Sequence, residues 1–314
     1  MTLLEAYRAT GADLPFGDPR RAHGVPFEGY YWRFTDAAAG RVVIALCGVC
    51  RDAAGAWAVV ALAAHPEGVV RSRLVPAAEV DPGGLGVEAG DALRGTADTL
   101  RVDVGPDARL DVALRQPVGW PRRAFGGIGP AQLLPRLPQY WHPHLLGARV
   151  AGTARVGDAT VELGAATAYA EKNWGPAFTE HWWWGQAQGF PVADACVAFA
   201  GGRVALGPVG GAPTAIVVRL EERVLRLAPP LARMTAAVGA AGWRVRARSA
   251  AHEVEVEGEA AGTPAVLPVP VPGRRAVADR SHQYLAGRLC VRVRRGRRVR
   301  FEGESALAGL ERWA

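Results

Sequence analysis

Two short segments near the end of the chain alternate strictly between charged and apolar residues, and this alternation limits the fold more than any other feature. Every second residue is an arginine in residues 243–248 and a glutamate in residues 253–257. A period of two is typical of a β-strand with one solvated face. The four-residue connection between them predicts a hairpin with arginine opposite glutamate at three positions: Arg248 with Glu253, Arg246 with Glu255 and Arg244 with Glu257.

Short apolar or alternating segments separated by turn residues fill most of the remaining sequence. Three predicted strands near the start form a meander: Phe27–Thr35, Arg41–Val49 and Ala56–Ala63. Further strands are predicted at Thr99–Val104, Leu110–Leu114, Ala148–Val156, Thr160–Ala168, Ala195–Ala200, Arg203–Leu206, Ala215–Leu220, Arg223–Leu227, Gly287–Val293 and Arg298–Glu302. Helical patterns are confined to the first ten residues, 131–134, 230–238 and the carboxyl terminus. The sequence therefore predicts an all-β, mainly antiparallel protein with a few short helices.

The composition allows a large core and excludes several enzyme classes. The 314 residues are 49% hydrophobic, enough for one large domain or two medium ones. Lysine occurs once, as Lys172, which excludes a phosphate-binding G-x-x-x-x-G-K-[ST] loop. No serine lies in a G-x-S-x-G nucleophile motif. The glycines in residues 126–129 lack the third glycine and the long helix of a dinucleotide-binding fold.

Cysteine usage and the length of apolar runs predict a reduced protein without a membrane span. Cys47 and Cys50 are three residues apart on a predicted strand and face opposite sides, which favours buried thiols over a zinc site. The longest apolar run, residues 56–64, is too short to cross a bilayer, and the amino terminus lacks the pattern of a secretory signal. We expect a soluble, cytoplasmic protein.

The formal net charge of +7 comes almost entirely from arginine. An arginine-rich hairpin at residues 288–300 has two interpretations, a solvated strand face and a nucleic-acid surface. Its alternation with Leu289, Val291 and Val293 favours the solvated face, and no aromatic residues are interleaved to stack on bases. We expect no specific nucleic-acid partner, while the positive charge allows peripheral contact with an anionic membrane.

The rarest residues of the chain adjoin its aromatic clusters. The only lysine and the only asparagine are adjacent in the run Ala170-Glu171-Lys172-Asn173-Trp174-Gly175. The run Trp182-Trp183-Trp184 follows a few residues later, and a strand there places four side chains on one face: Trp182, Trp184, Gln186 and Gln188. A third aromatic cluster, Glu28-Gly29-Tyr30-Tyr31-Trp32, lies near the start. These segments are the candidates for a binding site.

Together these motifs resemble the tocopherol cyclase family. The Glu-Lys-Asn-Trp-Gly run is the most specific element, and the similarity extends from about Pro26 to the 308–311 region. The resemblance implies two lipocalin-like β-barrel halves, residues 1–174 and residues 175–314, with a seam at 173–176. It also implies a cyclase that needs no cofactor and no metal, and that closes a ring on a prenylated aromatic or other polyene-bearing small molecule.

That reaction has three physical requirements. A carboxylic acid must stay protonated near neutral pH in order to protonate an alkene, and burial provides this by raising its pKa. The carbocation needs aromatic faces, and water must be excluded until a hydroxyl captures the cation. The catalytic candidates are Glu171, Glu28 and Lys172. The substrate-binding candidates are Asn173, Trp174, Trp182, Trp184, Gln186, Gln188, Tyr30, Trp32, Tyr140 and His142.

Each candidate also has a structural interpretation. Glu171 and Lys172 as neighbours could form an ion pair at the junction of the halves, although strand geometry turns them to opposite faces. The tryptophan triplet could be core between barrels, and Glu28 a surface charge at a strand edge. His142 with His144 could line a pocket or stabilise a loop, since no third ligand for a metal is evident.

Two other functions fit the same residues. A lipocalin-like carrier would bind an apolar small molecule in a barrel lined by aromatic residues without any chemistry. A related cavity enzyme could instead catalyse a hydration or a pericyclic closure, since one fold serves several reactions. In every case the expected partner is a hydrophobic small molecule.

Overall fold

The computed structural model describes residue 2 and residues 23–313, apart from 122–124, 136, 180, 192–193 and 207–208. Within this part, regular structure is almost entirely antiparallel β-strand. A 3-10 helix at Gly129–Leu133 confirms the helical turn predicted near residues 131–134. No helix in the described ranges is long and apolar enough to cross a membrane.

The first half of the chain builds a twelve-stranded sheet. Its strands are β1 (Phe27–Asp36), β2 (Arg41–Asp52), β3 (Gly55–His65), β4 (Val69–Val75), β5 (Glu79–Val80), β6 (Val87–Ala89), β7 (Leu93–Gly95), β8 (Thr99–Gly105), β9 (Ala108–Gly119), β10 (Tyr140–Val156), β11 (Ala159–Glu162) and β12 (Thr167–Gly175). The order is β4-β3-β2-β1-β12-β10-β9-β8-β7-β6-β5, with β11 paired to β10. The sheet curls until β4 approaches β8, and its apolar core fills the interior.

The second half builds a ten-stranded sheet of the same kind. Its strands are β13 (Trp182–Ala187), β14 (Ala195–Gly202), β17 (Thr214–Leu220), β18 (Arg223–Leu227), β19 (Arg233–Val238), β20 (Gly242–Arg248), β21 (His252–Glu259), β22 (Ala265–Val271), β23 (Ala276–Arg295) and β24 (Arg298–Trp313). A small hairpin of β15 (Val204–Leu206) and β16 (Val209–Gly211) stands apart. The order is β18-β17-β14-β13-β24-β23-β21-β20-β19, and β17 approaches β19 around a second core. The predicted fold class, two lipocalin-like barrel halves, is confirmed.

The predicted hairpin between residues 243 and 257 is confirmed in register. Each arginine of β20 lies opposite the predicted glutamate of β21. Arg244 Nε is 2.9 Å from Glu257 Oε1, and Arg246 Nε is 3.2 Å from Glu255 Oε1. The residues between the charges, such as Val245 and Val256, are buried in the second core because strand alternation turns them inward. The meander of β1, β2 and β3 is confirmed as well.

Three predicted elements are wrong. The segments predicted as helices at 230–238 and at the carboxyl terminus are strands instead. Residues 233–238 form the edge strand β19 and the carboxyl terminus forms β24, because pairing with neighbouring strands satisfies their backbone groups. The strand predicted at 160–168 is interrupted by a turn, in which the Ala166 amide donates to the Leu163 carbonyl. The helix predicted for the first ten residues falls, apart from Thr2, outside the described residues.

The two large sheets pack against each other through the outer faces of β1, β2 and β12 and of β13, β14 and β17. Strand β22 of the second sheet also lies against β2, β3 and β4. Gly48 permits this approach, since a Cβ there would lie 2.8 Å from Pro270 Cγ. Arg33 is fully buried at the boundary and donates to the carbonyls of Leu285 and Leu307 at 2.6 and 2.7 Å. The seam falls between β12 and β13, and the division into two independent domains at 174/175 stays a prediction.

Candidate active site

A cavity of about 320 Å³ lies where the two sheets meet. Ligand pockets of small-molecule enzymes begin at about this size. Its walls are mainly apolar and come from both sheets and from the 3-10 helix, which contributes Ala131. The aromatic residues that line it are Phe27, Tyr30, Tyr31, Trp141, Phe178, Trp182, Trp183 and Trp184. The polar residues that line it are Gln139, Glu171, Asn173, Thr179, Thr214, Ser281, Gln283 and Glu311.

Strand alternation decides which residues of the first sheet face this cavity. The facing rows, read across neighbouring strands, are Leu46–Tyr31–Glu171 and Gly48–Gly29–Asn173–Trp141. The row between them, Cys47–Tyr30–Lys172–His142, turns toward the first barrel, although Tyr30 and Cys47 still contribute to the lining. Gly29 and Gly48 are paired in this wall, and the space above them is taken by the Phe27 ring and by Pro270, which would lie 2.7 and 2.8 Å from a Cβ at these positions.

Glu171 is the buried carboxyl of the cavity. Three donors converge on its Oε2: Tyr169 Oη at 2.6 Å, Trp141 Nε1 at 2.8 Å and Trp184 Nε1 at 2.9 Å. Burial raises the pKa of Glu171 to about 7, against the effect of the three donors and with a further contribution from the charge of Glu311. At pH 7 about half of the Glu171 carboxyls are therefore protonated. Because Oε2 already accepts three hydrogen bonds, Oε1 is the oxygen left to carry the proton.

Glu28 lies in a separate ion cluster behind the cavity wall. Its carboxylate is within 3.1 Å of Lys172 Nζ, 2.6 Å of Arg51 Nη1 and 2.8 Å of His23 Nδ1. Burial alone would raise the pKa of Glu28, but the hydrogen bond from His23 and the charges of Lys172 and Arg51 lower it to about 2. Glu28 is therefore an ionised, fully buried group, and its interpretation as a surface charge is wrong.

Lys172 pairs with Glu28 rather than with its chain neighbour. Adjacent residues on a strand face opposite sides, so Glu171 enters the cavity and Lys172 enters the barrel. Its Nζ also lies 5.2 Å from the ring centre of Tyr30 and 5.8 Å from that of Trp174. The alternative of an ion pair between Glu171 and Lys172 is not what the structure contains.

The predicted binding residues divide between two locations. Those that line the cavity are Asn173, Trp182, Trp184 and Tyr30. On the barrel side, Trp174 stacks on Tyr140 at 5.5 Å between ring centres, Trp32 stacks on Tyr30 at 6.1 Å, and His142 Nδ1 accepts from the Gly127 amide. Gln186 and Gln188 lie farther along the sheet boundary, where Gln188 donates to the carbonyls of Leu146 and Ala168. Their roles in binding stay predictions.

Comparison with known proteins identifies the family. The tocopherol cyclase-like family matches residues 103–312, two thirds of the chain. The chain belongs to this family. The resemblance inferred from the Glu-Lys-Asn-Trp-Gly run is thus confirmed.

Curated relatives of this tocopherol cyclase-like protein match it in part. Tocopherol cyclase, chloroplastic, of Zea mays is 26% identical over 171 residues, which are 52% of this chain and 36% of that protein. Probable tocopherol cyclase, chloroplastic, of Oryza sativa subsp. japonica is 26% identical over 158 residues, 48% of this chain and 34% of that protein. The matched segment spans about a third of the length of these relatives.

Solved structures share the fold of this tocopherol cyclase-like chain. Kievitone hydratase from Nectria haematococca is 10% identical with a TM-score of 0.58, covering 96% of this chain and 91% of that one. CghA is 12% identical with a TM-score of 0.59, covering 92% and 88%. A putative AttH from Nitrosomonas europaea is 11% identical with a TM-score of 0.53, covering 92% of each chain. At these identities the likeness concerns the fold alone.

Several cavity groups of this family member escaped the sequence analysis. Glu311 and Gln283 come from β24 and β23, more than 100 residues after Glu171. Trp141 and Tyr169 donate to Glu171, yet only their aromatic neighbourhood marked them in the sequence. A carboxyl in the apolar run Ala308-Gly309-Leu310-Glu311 was the one available signal for Glu311, because charges are rarely placed among buried residues without a role.

Proposed function

We propose that this protein is a cyclase of the tocopherol cyclase type, and that Glu171 protonates an alkene of its substrate. The observation that carries the proposal is a carboxyl with a pKa of about 7 among indole and phenol rings of an apolar cavity. A carboxylic acid that remains protonated at neutral pH can donate to a weakly basic alkene. Family membership supports the same reaction type.

The cavity walls suit the cation that protonation creates. A tertiary carbocation is stabilised by aromatic faces, each by about 0.5–2 kcal/mol when water is excluded. Tyr31 and Trp184 meet edge to face with ring centres 5.3 Å apart beside Glu171. Trp182 and Phe178, with ring centres 5.2 Å apart, extend this aromatic wall. The cation would form next to these rings rather than in bulk water.

The substrate class follows from the same groups. An apolar cavity with few polar groups favours a hydrophobic small molecule, and we propose a prenylated aromatic or another polyene that carries a hydroxyl. Asn173 lines the cavity, and its Oδ1 accepts a 3.3 Å hydrogen bond from Gln139 Nε2. It is a candidate to bind a substrate oxygen. No oxidation state changes in such a closure, because one proton enters at carbon and one leaves from oxygen.

The direct test is turnover of a prenylated hydroquinone in deuterated water. Protonation by Glu171 predicts a ring product carrying one deuterium at the carbon that was protonated. A ring product free of deuterium would contradict the proton-initiated closure. An acyclic alcohol carrying deuterium would identify a hydratase that uses the same acid.

The alternative of a carrier is separated by the isosteric variant E171Q. A cyclase should bind the hydroquinone with similar affinity and lose turnover by at least about 100-fold, the usual contribution of a general acid. E304Q is a matched control, since Glu304 lies on β24 but is exposed and paired with Arg288. If wild-type protein binds the ligand tightly and converts none of it, the carrier is the correct function.

A further inference from the structure

A second carboxyl, that of Glu311, faces the same cavity from the other sheet. Strand pairing places Glu311 directly opposite Trp184, and the indole of Trp184 donates to Glu171. The two carboxyls thus adjoin one tryptophan, although they belong to different sheets. Their charges interact, since Glu311 contributes to the raised pKa of Glu171. Two like charges in one apolar cavity favour a state with one proton on the pair.

The hydrogen-bond donors are distributed differently around the two carboxyls. Trp182 Nε1 donates to Oε1 of Glu311 at 2.5 Å, and Gln283 Nε2 donates to Oε2 at 2.9 Å. Ser281 forms a further hydrogen bond to this carboxyl. Burial raises the pKa of Glu311, and these three donors oppose that rise because they stabilise the carboxylate. Both oxygens of Glu311 are therefore acceptors, as a carboxylate requires, whereas the donors to Glu171 meet on one oxygen and leave the other for a proton.

The amide of Gln283 is oriented by the first sheet. Tyr31 Oη donates to Oε1 of Gln283 at 3.1 Å, which directs the amide NH₂ toward Glu311. Tyr31 in turn is the strand partner of Glu171. Burial raises the pKa of the Tyr31 phenol, so this residue remains a donor at neutral pH. The orientation of Gln283 thus supports an ionised Glu311.

We propose that Glu311 is the general base that completes the reaction begun by Glu171. This inference rests on the proposed function. The O–H proton of Glu171 moves to the alkene carbon, which leaves a carboxylate and a tertiary carbocation. A lone pair of the substrate hydroxyl forms the C–O bond, the hydroxyl O–H bond breaks, and its proton moves to Glu311. Transfer of this proton from Glu311 back to Glu171 restores the starting state, so the pair gains and loses one proton per turnover and no co-reactant is consumed.

The proposal also defines the substrate more closely. The alkene must lie at Glu171 while a hydroxyl on the same molecule lies within hydrogen-bond distance of Glu311. A substrate whose hydroxyl is methylated has no proton to transfer to Glu311. It should still accept deuterium at carbon but should form no ring, and its cation should be lost as an acyclic alkene isomer.

Other titratable and charged groups around Glu311 are few among the described residues. Tyr31 and Tyr169 from the first sheet are neutral, because burial raises the pKa of both phenols. Arg33 from β1 is engaged with two backbone carbonyls. Arg312, the chain neighbour, donates to the carbonyl of Ala240 on the other face. Glu171 is therefore the group whose protonation is coupled to that of Glu311.

The test compares wild-type protein, E311Q and the control E304Q on a prenylated phenol in deuterated water. For E311Q we expect ring formation to fall by at least about 100-fold while deuterium still enters the prenyl chain and appears in acyclic isomers. Ring formation within twofold of wild type would overturn the role of Glu311. Loss of both ring and deuterium would also overturn it, since protonation would then depend on Glu311. Failure of the wild type to incorporate any deuterium would instead refute the proposed function.

A second variant keeps the inference testable if E311Q does not fold. Q283L removes one donor from Glu311 and should raise its pKa, so the acidic limb of the pH–rate profile should move to higher pH. A purely structural role for Glu311 predicts a lower yield of folded protein with an unchanged profile. An unshifted acidic limb in folded Q283L would therefore overturn the proposal.

Discussion

The indole Nε1 of Trp184 donates a 2.9 Å hydrogen bond to Oε2 of Glu171. Trp184 belongs to β13 of the second sheet and Glu171 to β12 of the first, so this bond crosses the boundary between the two halves. Two more donors to the same oxygen, Tyr169 and Trp141, come from the first sheet. The environment of the acid is therefore complete only when the sheets are packed together.

Turnover should decline as pH rises through about 7. Glu171 acts in its protonated form, and burial raises its pKa to about 7, so the fraction of competent protein falls about tenfold per pH unit on the alkaline side. The measurement is kcat/KM for a prenylated phenol between pH 5 and 9, because kcat/KM reports the pKa of the ligand-free protein. A rate that stays constant up to pH 9 would exclude Glu171 as the acid.

The variant W184F should move that alkaline limb to higher pH. The indole N–H stabilises the ionised carboxylate, so its removal raises the pKa of Glu171 further. W183F is the matched control, because Trp183 also lines the cavity but its Nε1 has no hydrogen-bond partner among the described residues. The same shift in both variants would show that the altered cavity volume, and not the lost donor, controls the titration.

Removal of the buried charge of Glu28 should destabilise the fold at neutral pH. E28Q leaves Lys172 buried beside a neutral amide, a change that costs about 3–5 kcal/mol in comparable ion pairs. K172M removes the buried positive charge whose partner carboxylate is lost in E28Q, so E28Q/K172M should lose less stability than the sum of the losses in the two single variants. Urea unfolding of the four proteins at pH 7 measures this coupling, and strictly additive losses would contradict it.

The same carboxylate predicts the acid sensitivity of the protein. The pKa of Glu28 is about 2 in the folded state against an ordinary value of 4.5, so the stability it contributes is present above pH 4.5 and is lost as the pH falls toward 2. The difference in unfolding free energy between wild type and E28Q should therefore shrink between pH 5 and 3. An equal difference at both pH values would assign the effect to packing.

Replacement of Thr214 by valine should leave stability unchanged or raise it by up to about 1 kcal/mol. Its Oγ1 is buried without a hydrogen-bond partner in the described part of the chain, and valine has the same shape. S305A provides the contrast, because Ser305 Oγ donates to the Gln188 carbonyl at 2.7 Å and its loss should cost about 1 kcal/mol. Thermal unfolding without ligand compares the two, and equal destabilisation would mean that water satisfies the threonine hydroxyl.

Local alternation made much of the fold predictable from the sequence. The register of Arg246 opposite Glu255 followed from the period of two and the loop length, and the structure contains it. The same rule placed Glu171 and Lys172 on opposite faces. Where a segment such as 233–238 lacked a clear alternation, composition suggested a helix, and the pairing with β20 overrode that preference.

The family motif and the candidate acid were also accessible from the sequence. The Glu-Lys-Asn-Trp-Gly run marked Glu171 and Asn173, and both line the cavity. The sequence could not tell which face of β1 and β12 would meet a second sheet, so it grouped Glu28 and Trp174 with them. Glu171 and Asn173 lie at odd-numbered positions, which face the second sheet, whereas Glu28 and Trp174 lie at even-numbered positions, which face the first barrel.

What the sequence by itself determined is the alternating pattern, since the two faces of a strand follow from backbone geometry alone. The tertiary structure decided which face became the cavity and which carboxyl became an acid. Packing of the sheets brings Trp184 to Glu171 and places Glu311 nearby, whereas the first barrel surrounds Glu28 with Lys172, Arg51 and His23. Desolvation and neighbouring charges set a pKa, and both depend on residues far apart in the chain.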